Sequence, residues 1–317
     1  MVQPEPYIQK IFTTCASPQK GDSVLVIAND QYRSIATLIY TYARDNNLFP
    51  TLIIASENGK KPFIPLKTLK PVIKESDIAF LLFHKQISFF DLPLSAGNSS
   101  AKIISMPQVT RGQIERMFRS PRKPYVNRCR KIADILSIGK KAHITTESGT
   151  DITVLISRYK GSAVTGATAN NEAATSLPFG YCFIQSTGES CSGRIIANGS
   201  FTGMGSLQKP VVMHISSGKV KRIYGDTEAK VMRHLLKSGS KPFRDVLGFG
   251  VGAHTGAEYR GYPFEDKCVS GAVHLTIGTN KPAVHCFTKM NRFDIVLKDA
   301  TVCIDGMVLV KNGTLQV

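Results

Sequence analysis

The sequence predicts an α/β domain with a parallel sheet, followed by an α+β domain that is mainly antiparallel and rich in β-strands. In the N-terminal part, a segment of helical periodicity follows the first long apolar run and further apolar runs come after it, as in doubly wound folds. After about residue 140 the segments become shorter and richer in glycine and β-branched residues, which favours antiparallel strands. We therefore predict an α/β domain over residues 1–135 and a β-rich catalytic-type domain over 136–317.

The strands of the first domain are predicted from continuous apolar runs, because a parallel strand is buried on both faces. Residues 34–44 follow the first run and carry apolar side chains at helical spacing. No GxGxxG or GxxxxGK[ST] loop follows any run, so the sequence does not support nucleotide binding by such a loop. The predicted strands are 23–28, 50–55, 77–83 and 102–106.

The second domain is predicted as short β-branched strands interrupted by one helix, residues 226–236. The helix is indicated by apolar residues that share one side, among them Ala229 and Met232. A helix or linker near residues 129–140 is expected to join the two domains. The predicted strands are 143–146, 151–156, 193–197, 210–215, 272–277 and 300–305.

Composition favours a globular protein, with 42% hydrophobic and 20% charged residues. No apolar run approaches the roughly 20 residues that span a bilayer, and the N-terminus lacks the pattern of a signal peptide. Seven cysteines are scattered without CxxC spacing, which is typical of free thiols in a reducing compartment. We expect a cytoplasmic protein without a membrane partner.

The net charge of +17 arises from 40 basic and 23 acidic side chains. The densest basic stretch, residues 111–131, has helical spacing broken by Pro121 and Pro124 and contains few aromatic residues. This pattern favours a solvated face, or attraction of acidic ligands, over nucleic-acid recognition. We expect a small-molecule or peptide substrate, for which a negative charge is one alternative, and no nucleic-acid partner.

The strongest candidate for chemistry is a histidine and a carboxylate on neighbouring predicted strands. His274 lies in the strand 272–277, and Asp294 lies in the next strand after a glycine-containing turn. Imidazole and carboxylate ligands on adjacent strands are two thirds of a mononuclear metal triad. Arg292, two residues before Asp294, carries a positive charge close to this candidate site.

Nine segments in chain order resemble one superfamily, which contains the leucyl-aminopeptidase-T-like metalloaminopeptidases and the 2,5-dihydroxypyridine 5,6-dioxygenases. No single segment is specific to this superfamily, but the occurrence of the segments in the same order as in the superfamily is specific. The segments are 21–27 (GDSVLVI), 106–110 (MPQVT), 145–153 (TTESGTDIT), 177–180 (LPFG), 249–252 (FGVG), 265–267 (EDK), the strand of His274, 293–294 (FD) and 304–306 (IDG).

The resemblance implies two domains, a functional cleft between them and a homodimer. It also implies a metal, since the aminopeptidases hold two metals and the dioxygenases hold one iron with two histidines and an aspartate. His274 and Asp294 match ligand positions of that superfamily. Tyr181 stands in place of the glutamate of the NLPxGE motif, and Gly248 replaces the glutamate of the E-x-G-x-G-x-N motif.

Two further departures concern histidines. Arg292 stands where the superfamily has the first histidine of its HxD motif, whereas His254 stands where it has an asparagine. Two divalent ions need several carboxylates to neutralise them, so we expect at most one divalent metal (iron, zinc or manganese). Its predicted ligands are His274, Asp294 and His254, with His285 as the other candidate for the third ligand.

We therefore expect an enzyme resembling a metal-dependent hydrolase or a mononuclear iron dioxygenase. Arg292 would bind an anionic group of the substrate, and Tyr181 would supply a hydroxyl for orientation or proton transfer. The alternative is a metal-free pseudoenzyme or ligand-binding relative, in which His274 is a hydrogen-bonded core residue. In that alternative Asp294 pairs with Arg292 or Lys298 at the surface.

Overall fold

The computed structural model describes residues 6–55, 66–84, 101–168, 174–186, 191–237, 243–279 and 292–317. These form two compact units. The first contains the described residues up to Arg119 and those between Gly166 and Phe179, and the second contains the others. The division proposed at residue 135 stays a prediction, and that residue lies inside the helix Arg122–Ile138 of the second unit.

The first unit is built on a five-stranded parallel sheet of order β2-β1-β3-β4-β8. Its strands are β1 (Ser23–Asn29), β2 (Phe49–Ala55), β3 (Ile78–Leu82), β4 (Lys102–Ser105) and β8 (Ala174–Ser176). Its helices are α1 (Pro6–Ile11), α2 (Arg33–Asp45), α3 (Leu66–Lys74) and α4 (Arg111–Arg119), with a π-helical turn at Phe12–Ala16 and a 3-10 turn at Asp30–Tyr32.

The continuous apolar runs lie where a parallel sheet requires them. All five residues of β3 are buried, and alternate residues of β1 pack with α3 in one core cluster. That cluster comprises Leu25, Ile27, Leu69, Ile73, Ala79, Leu81, Phe83 and Ile103. The short strand β8 returns to this sheet from beyond residue 165, a crossover that the sequence pattern did not predict.

The second unit contains one large antiparallel sheet, so the predicted fold class is confirmed. The strand order is β12-β11-β17-β16-β15-β14-β13-β10-β6-β5-β18-β19-β20, with β9 paired to β15 and β7 paired to β9. Its first strands are β5 (Lys141–Thr145), β6 (Asp151–Leu155), β7 (Ser162–Val164), β9 (Tyr181–Gln185), β10 (Cys191–Ala197), β11 (Ser200–Phe201) and β12 (Gly205–Ser206). The remaining strands are β13 (Val211–Ser216), β14 (Lys219–Tyr224), β15 (Asp245–Gly252), β16 (Val273–Gly278), β17 (Arg292–Leu297), β18 (Thr301–Ile304), β19 (Met307–Lys311) and β20 (Thr314–Leu315).

Three helices accompany this sheet: α5 (Arg122–Ile138), α6 (Thr227–Leu235) and α7 (Pro263–Asp266). The basic stretch 111–131 is helical, and Pro121 lies between α4 and α5, as its position in the sequence indicated. Pro124 lies in the first turn of α5, where a missing N–H costs little. Within the described segments, no helix is long and apolar enough to cross a bilayer.

Strand β15 was not predicted, although it lies in the middle of the second sheet. It contains glycine at positions 248, 250 and 252, and glycine weakens a strand because it has no side chain to pack. The strand forms because β9 and β16 pair with it from both sides. Tertiary pairing therefore overrides a weak local preference here.

Candidate functional site

The candidate site lies on one face of the second sheet, where β9, β15, β16 and β17 run side by side. Beside Thr276 and His274, β15 presents Gly248, Gly250 and Gly252 on this face, so its backbone is bare there. A Cβ atom at Gly250 would lie 2.2 Å from Cε1 of His274 and 2.3 Å from the carbonyl oxygen of Cys182. The imidazole of His274 therefore lies directly across the glycine backbone.

Strand register brings the two predicted residues of β16 and β17 onto this face. Asp294 stands directly opposite Thr276, and His274 precedes Thr276 by two residues, so all three side chains share the face. Asp294 and His274 are thus diagonal neighbours, an arrangement in which Cα atoms are about 7–8 Å apart. Arg292 stands opposite Gly278 at the end of the same face.

Asp294 forms a buried ion pair that the sequence did not indicate. Nζ of Lys267, the residue after α7, lies 2.8 Å from Oδ2 of Asp294, and their side chains are only 5% and 9% exposed. The hydroxyl of Thr276 donates to the other carboxylate oxygen, Oδ1, at 2.7 Å. The expected surface pairing of Asp294 with Arg292 or Lys298 is therefore wrong, because the carboxylate is buried and both its oxygens accept from other donors.

Both members of this pair are charged at neutral pH. Burial lowers the pKa of Lys267, but the attraction by Asp294 and Tyr181 and the hydrogen bond to Asp294 together outweigh burial and hold that pKa above its usual value. Burial raises the pKa of Asp294, but the Lys267 ammonium and the hydrogen bonds to the carboxylate hold that pKa below its usual value. Nζ of Lys267 also lies 4.6 Å from the ring centroid of Tyr181 and 5.4 Å from that of Phe264, where it gains cation–π attraction.

His274 is a neutral imidazole on this face, and its residue is 1% exposed. Burial lowers its pKa to about 3, since the opposing attraction of Asp294 is smaller and the Lys267 charge adds to the lowering. The ring meets Tyr181 edge-on at 5.6 Å and stacks on Phe183 at 6.1 Å. Within the described residues, Nδ1 of His274 is buried without a hydrogen-bond partner.

This buried neutral histidine makes stability depend on pH. The folded-state pKa of about 3 lies below the value of about 6.5 in an unfolded chain. The unfolded chain therefore binds more protons between these values, and the free energy of unfolding falls as pH is lowered through that window, by up to about 1.4 kcal/mol per pH unit. We expect His274→Gln to flatten this slope in urea unfolding measured at several pH values.

The matched control is His234→Gln, which changes an exposed histidine of α6. We expect this variant to retain the wild-type slope. An unchanged slope in His274→Gln would contradict the assignment of a buried neutral imidazole.

His254, the third predicted ligand, lies in the loop after β15. Its residue is fully buried, its ring lies 4.5 Å from that of Tyr125, and its Nδ1 accepts the N–H of Gly256 at 3.0 Å. A Cβ atom at Gly180 would lie 2.7 Å from Cβ of His254, and only glycine readily adopts the positive φ found there. The ligand role of His254 stays a prediction, and His285 lies outside the described residues.

The side chains on this face do not fit a divalent metal. One cation already lies on the Asp294 carboxylate, and Arg292 adds a second positive charge where the resemblance implies a histidine. In the part of the chain that the structure describes, no three His, Cys, Asp or Glu side chains are grouped so that they could hold a metal ion. The set His274, Asp294 and His254 thus stays a prediction.

Lys267 is a residue of the candidate site that the sequence did not single out. It belongs to the segment 265–267, which is one of the segments that carry the resemblance. However, three consecutive charged residues are typical of a solvated turn. In the structure all three are buried, and Asp266 accepts the N–H groups of Arg260 and Gly261 at 2.8 and 3.1 Å. The sequence could have indicated Thr276, because it lies two residues after His274 in a predicted strand and its side chain is therefore on the same face.

Comparison with known proteins agrees with the predicted fold and superfamily. The sequence model of the 2,5-dihydroxypyridine 5,6-dioxygenase family, NicX, matches residues 10–317. No curated protein sequence matches the chain.

Two solved structures share the fold at low identity. The chain is similar to the 2,5-dihydroxypyridine dioxygenase from Pseudomonas putida KT2440, with a TM-score of 0.75, 14% identity and coverage of 99% of this chain and 98% of the other. It is also similar to AmpT from Thermus thermophilus, with a TM-score of 0.69, 14% identity and coverage of 98% and 99%. Since the family model spans nearly the whole sequence, the chain belongs to the 2,5-dihydroxypyridine 5,6-dioxygenase family.

Proposed function

We propose that this chain is an enzyme of the aminopeptidase/dioxygenase superfamily that acts on a small anionic molecule without a divalent metal. The Lys267 ammonium supplies the positive charge that the resemblance would assign to a metal. One observation carries the proposal: Nζ of Lys267 lies 2.8 Å from Oδ2 of Asp294, and both side chains are buried.

Charge balance supports this assignment. A buried carboxylate needs a compensating cation, because leaving it unpaired costs several kcal/mol. Lys267 neutralises Asp294, and the hydroxyl of Thr276 satisfies the second carboxylate oxygen. A divalent ion bound to Asp294 would have to displace the Lys267 ammonium, which already neutralises this carboxylate. The displaced ammonium would still lie close to the ion, in a buried site where repulsion between positive charges is poorly screened.

The chemistry that this face supports is stabilisation of negative charge by a fixed positive charge. Neutral His274 presents an unpaired Nδ1 that can form a hydrogen bond with a bound molecule. Lys267 stabilises negative charge that develops close to it, because the ammonium is buried and its charge is weakly screened. Tyr181 carries the hydroxyl that we assign to substrate orientation.

The exposure of the residues on this face indicates the side from which a substrate would approach. His274 is 1% exposed, whereas Asp294 is 7% and Thr276 is 8% exposed, and Arg292 at the end of the face is half-buried. We therefore propose that a substrate reaches this face from the side of Arg292. A guanidinium binds carboxylate or phosphate groups through two parallel hydrogen bonds, so we assign the anionic group of the substrate to Arg292.

Metal analysis tests the proposal. Protein purified without chelators and then supplemented with Fe(II), Zn(II) or Mn(II) is expected to retain far less than one metal per chain after desalting, as measured by mass spectrometry. Near-stoichiometric metal that is lost in both His274→Ala and Asp294→Asn would contradict it. That result would support a one-metal enzyme in which His254 supplies the third ligand. A homodimer, a cytoplasmic location and a cleft between two domains stay predictions.

A further inference from the structure

A second group of cations lies on the solvent face of β10, β13 and β14, strands that do not contribute to the Lys267–Asp294 pair. Arg194, His214 and Arg222 stand directly opposite one another across these three strands and are all exposed. Adjacent strands are about 4.8 Å apart, so the two arginine backbones are roughly 10 Å apart. Basic side chains placed opposite one another do not stabilise a sheet, so stability does not account for this row.

A β-bulge adds a further cation to the row. The pairing of β13 with β14 shifts between His214 and Ile215, which leaves Lys221 without a partner residue. As a result Lys221 and Arg222 are both exposed, although consecutive strand residues normally face opposite sides. Arg244 donates to the carbonyl oxygen of Lys221 at 3.4 Å. Bulges of this kind redirect side chains and are frequent beside functional sites.

The side chains of the row are held in place by neighbours. Nε of Arg194 donates to the carbonyl oxygen of Gly149 at 3.0 Å, and Nη1 of Arg222 donates to the hydroxyl of Tyr224 at 3.3 Å. The ring of His214 meets that of Tyr224 edge-on at 5.6 Å. Each of the two guanidinium groups is therefore held by a hydrogen bond to a neighbouring group.

Nearby carboxylates are already engaged. Asp151 stands opposite Arg194 but bonds to Nε2 of His143 at 2.9 Å. Asp245 pairs with Lys219. Among the residues that the structure describes, neither Arg194 nor Arg222 forms an ion pair with a carboxylate. The row therefore presents positive charge that no acidic side chain in the described part of the chain neutralises through an ion pair with either arginine.

We propose that this cationic row, formed by Arg194, His214, Lys221 and Arg222 beside Tyr224, binds a doubly charged oxyanion of the phosphate class. Two guanidinium groups offer planar pairs of N–H donors, which match the geometry of phosphate oxygens. Lys221 adds a point charge, and Tyr224, which is 46% exposed, provides an aromatic surface beside the anion. The proposal is independent of the function assigned to His274 and Lys267.

Titration of the full chain with inorganic phosphate and with pyrophosphate tests the proposal. Binding is followed by isothermal calorimetry and by phosphorus NMR. Arg194→Gln and Arg222→Gln are each expected to weaken binding about tenfold, because each removes a charge-assisted bidentate contact. All substituted side chains are exposed, so thermal unfolding of each variant is expected to match that of the wild type.

The matched control is Arg130→Gln, an exposed arginine of α5 within the densest basic stretch. It is expected to leave phosphate affinity unchanged. Equal weakening by Arg130→Gln would overturn the proposal, since it would show general attraction to a protein of net charge +17. Absence of saturable phosphate binding would also overturn it. Tighter, strongly salt-dependent binding of a single-stranded oligonucleotide would identify a nucleic-acid surface instead.

Discussion

Lys267→Met is expected to lower the free energy of unfolding by about 3–5 kcal/mol, because it leaves the Asp294 carboxylate buried without its cation. Methionine has a volume close to that of the lysine stem, so the loss reflects charge more than packing. Asp294→Asn is expected to be costly for the converse reason, since it leaves a buried ammonium. Urea unfolding of both variants at neutral pH measures these losses.

The double variant Lys267→Met/Asp294→Asn separates pairing from general disruption. It is expected to be more stable than the sum of the two single losses predicts, by about 2 kcal/mol or more, since neither charge then remains unpaired. The control is Lys219→Met, which breaks the exposed pair with Asp245 and is expected to change stability by less than about 1 kcal/mol. Additive single losses would contradict the ion pair.

Gly250→Ala is expected to destabilise the second unit by about 3 kcal/mol, at the upper end of the usual cost of overpacking. The new methyl group would lie 2.2 Å from Cε1 of His274 and 2.3 Å from the carbonyl oxygen of Cys182. The imidazole cannot easily move away, because Tyr181 and Phe183 flank it. Urea unfolding at neutral pH, where the histidine is neutral, measures the loss.

The matched control is Gly112→Ala in α4. Its added methyl group would meet only the flexible end of Arg116, with Nη1 at 3.3 Å. Alanine is favoured over glycine in a helix by up to about 1 kcal/mol, so this variant is expected to unfold at the same or a higher urea concentration. Equal stability of the Gly250→Ala variant and the wild type would show that His274 does not lie against the glycine backbone.

The sequence predicted those parts of the fold in which local pattern and tertiary role agree. Continuous apolar runs such as 23–28 became strands buried in a parallel sheet, and Pro121 separated two helices. Strand β15 was missed because three glycines weaken its local preference, and pairing from both sides supplies what the sequence lacks. The pairing of β15 with β9 and β16 cannot be predicted from the sequence of the β15 segment alone.

The candidate site was predicted only in part, for a similar reason. Alternation along β16 and β17 put His274 and Asp294 on predicted neighbouring strands, and the structure pairs these strands. The partner of Asp294 comes from a separate short helix, where the segment 265–267 gives no sign that its charges are buried. The ion pair of Lys267 and Asp294 depends on tertiary packing that composition and spacing do not encode.

Anomalous X-ray diffraction from crystals grown with Mn(II) tests most directly whether Lys267 takes the place of a metal. We predict no anomalous peak between His274 and Asp294, with Nζ of Lys267 at hydrogen-bonding distance from the Asp294 carboxylate. A peak about 2.0–2.3 Å from both a ring nitrogen of His274 and a carboxylate oxygen of Asp294, with the lysine displaced, would contradict the account.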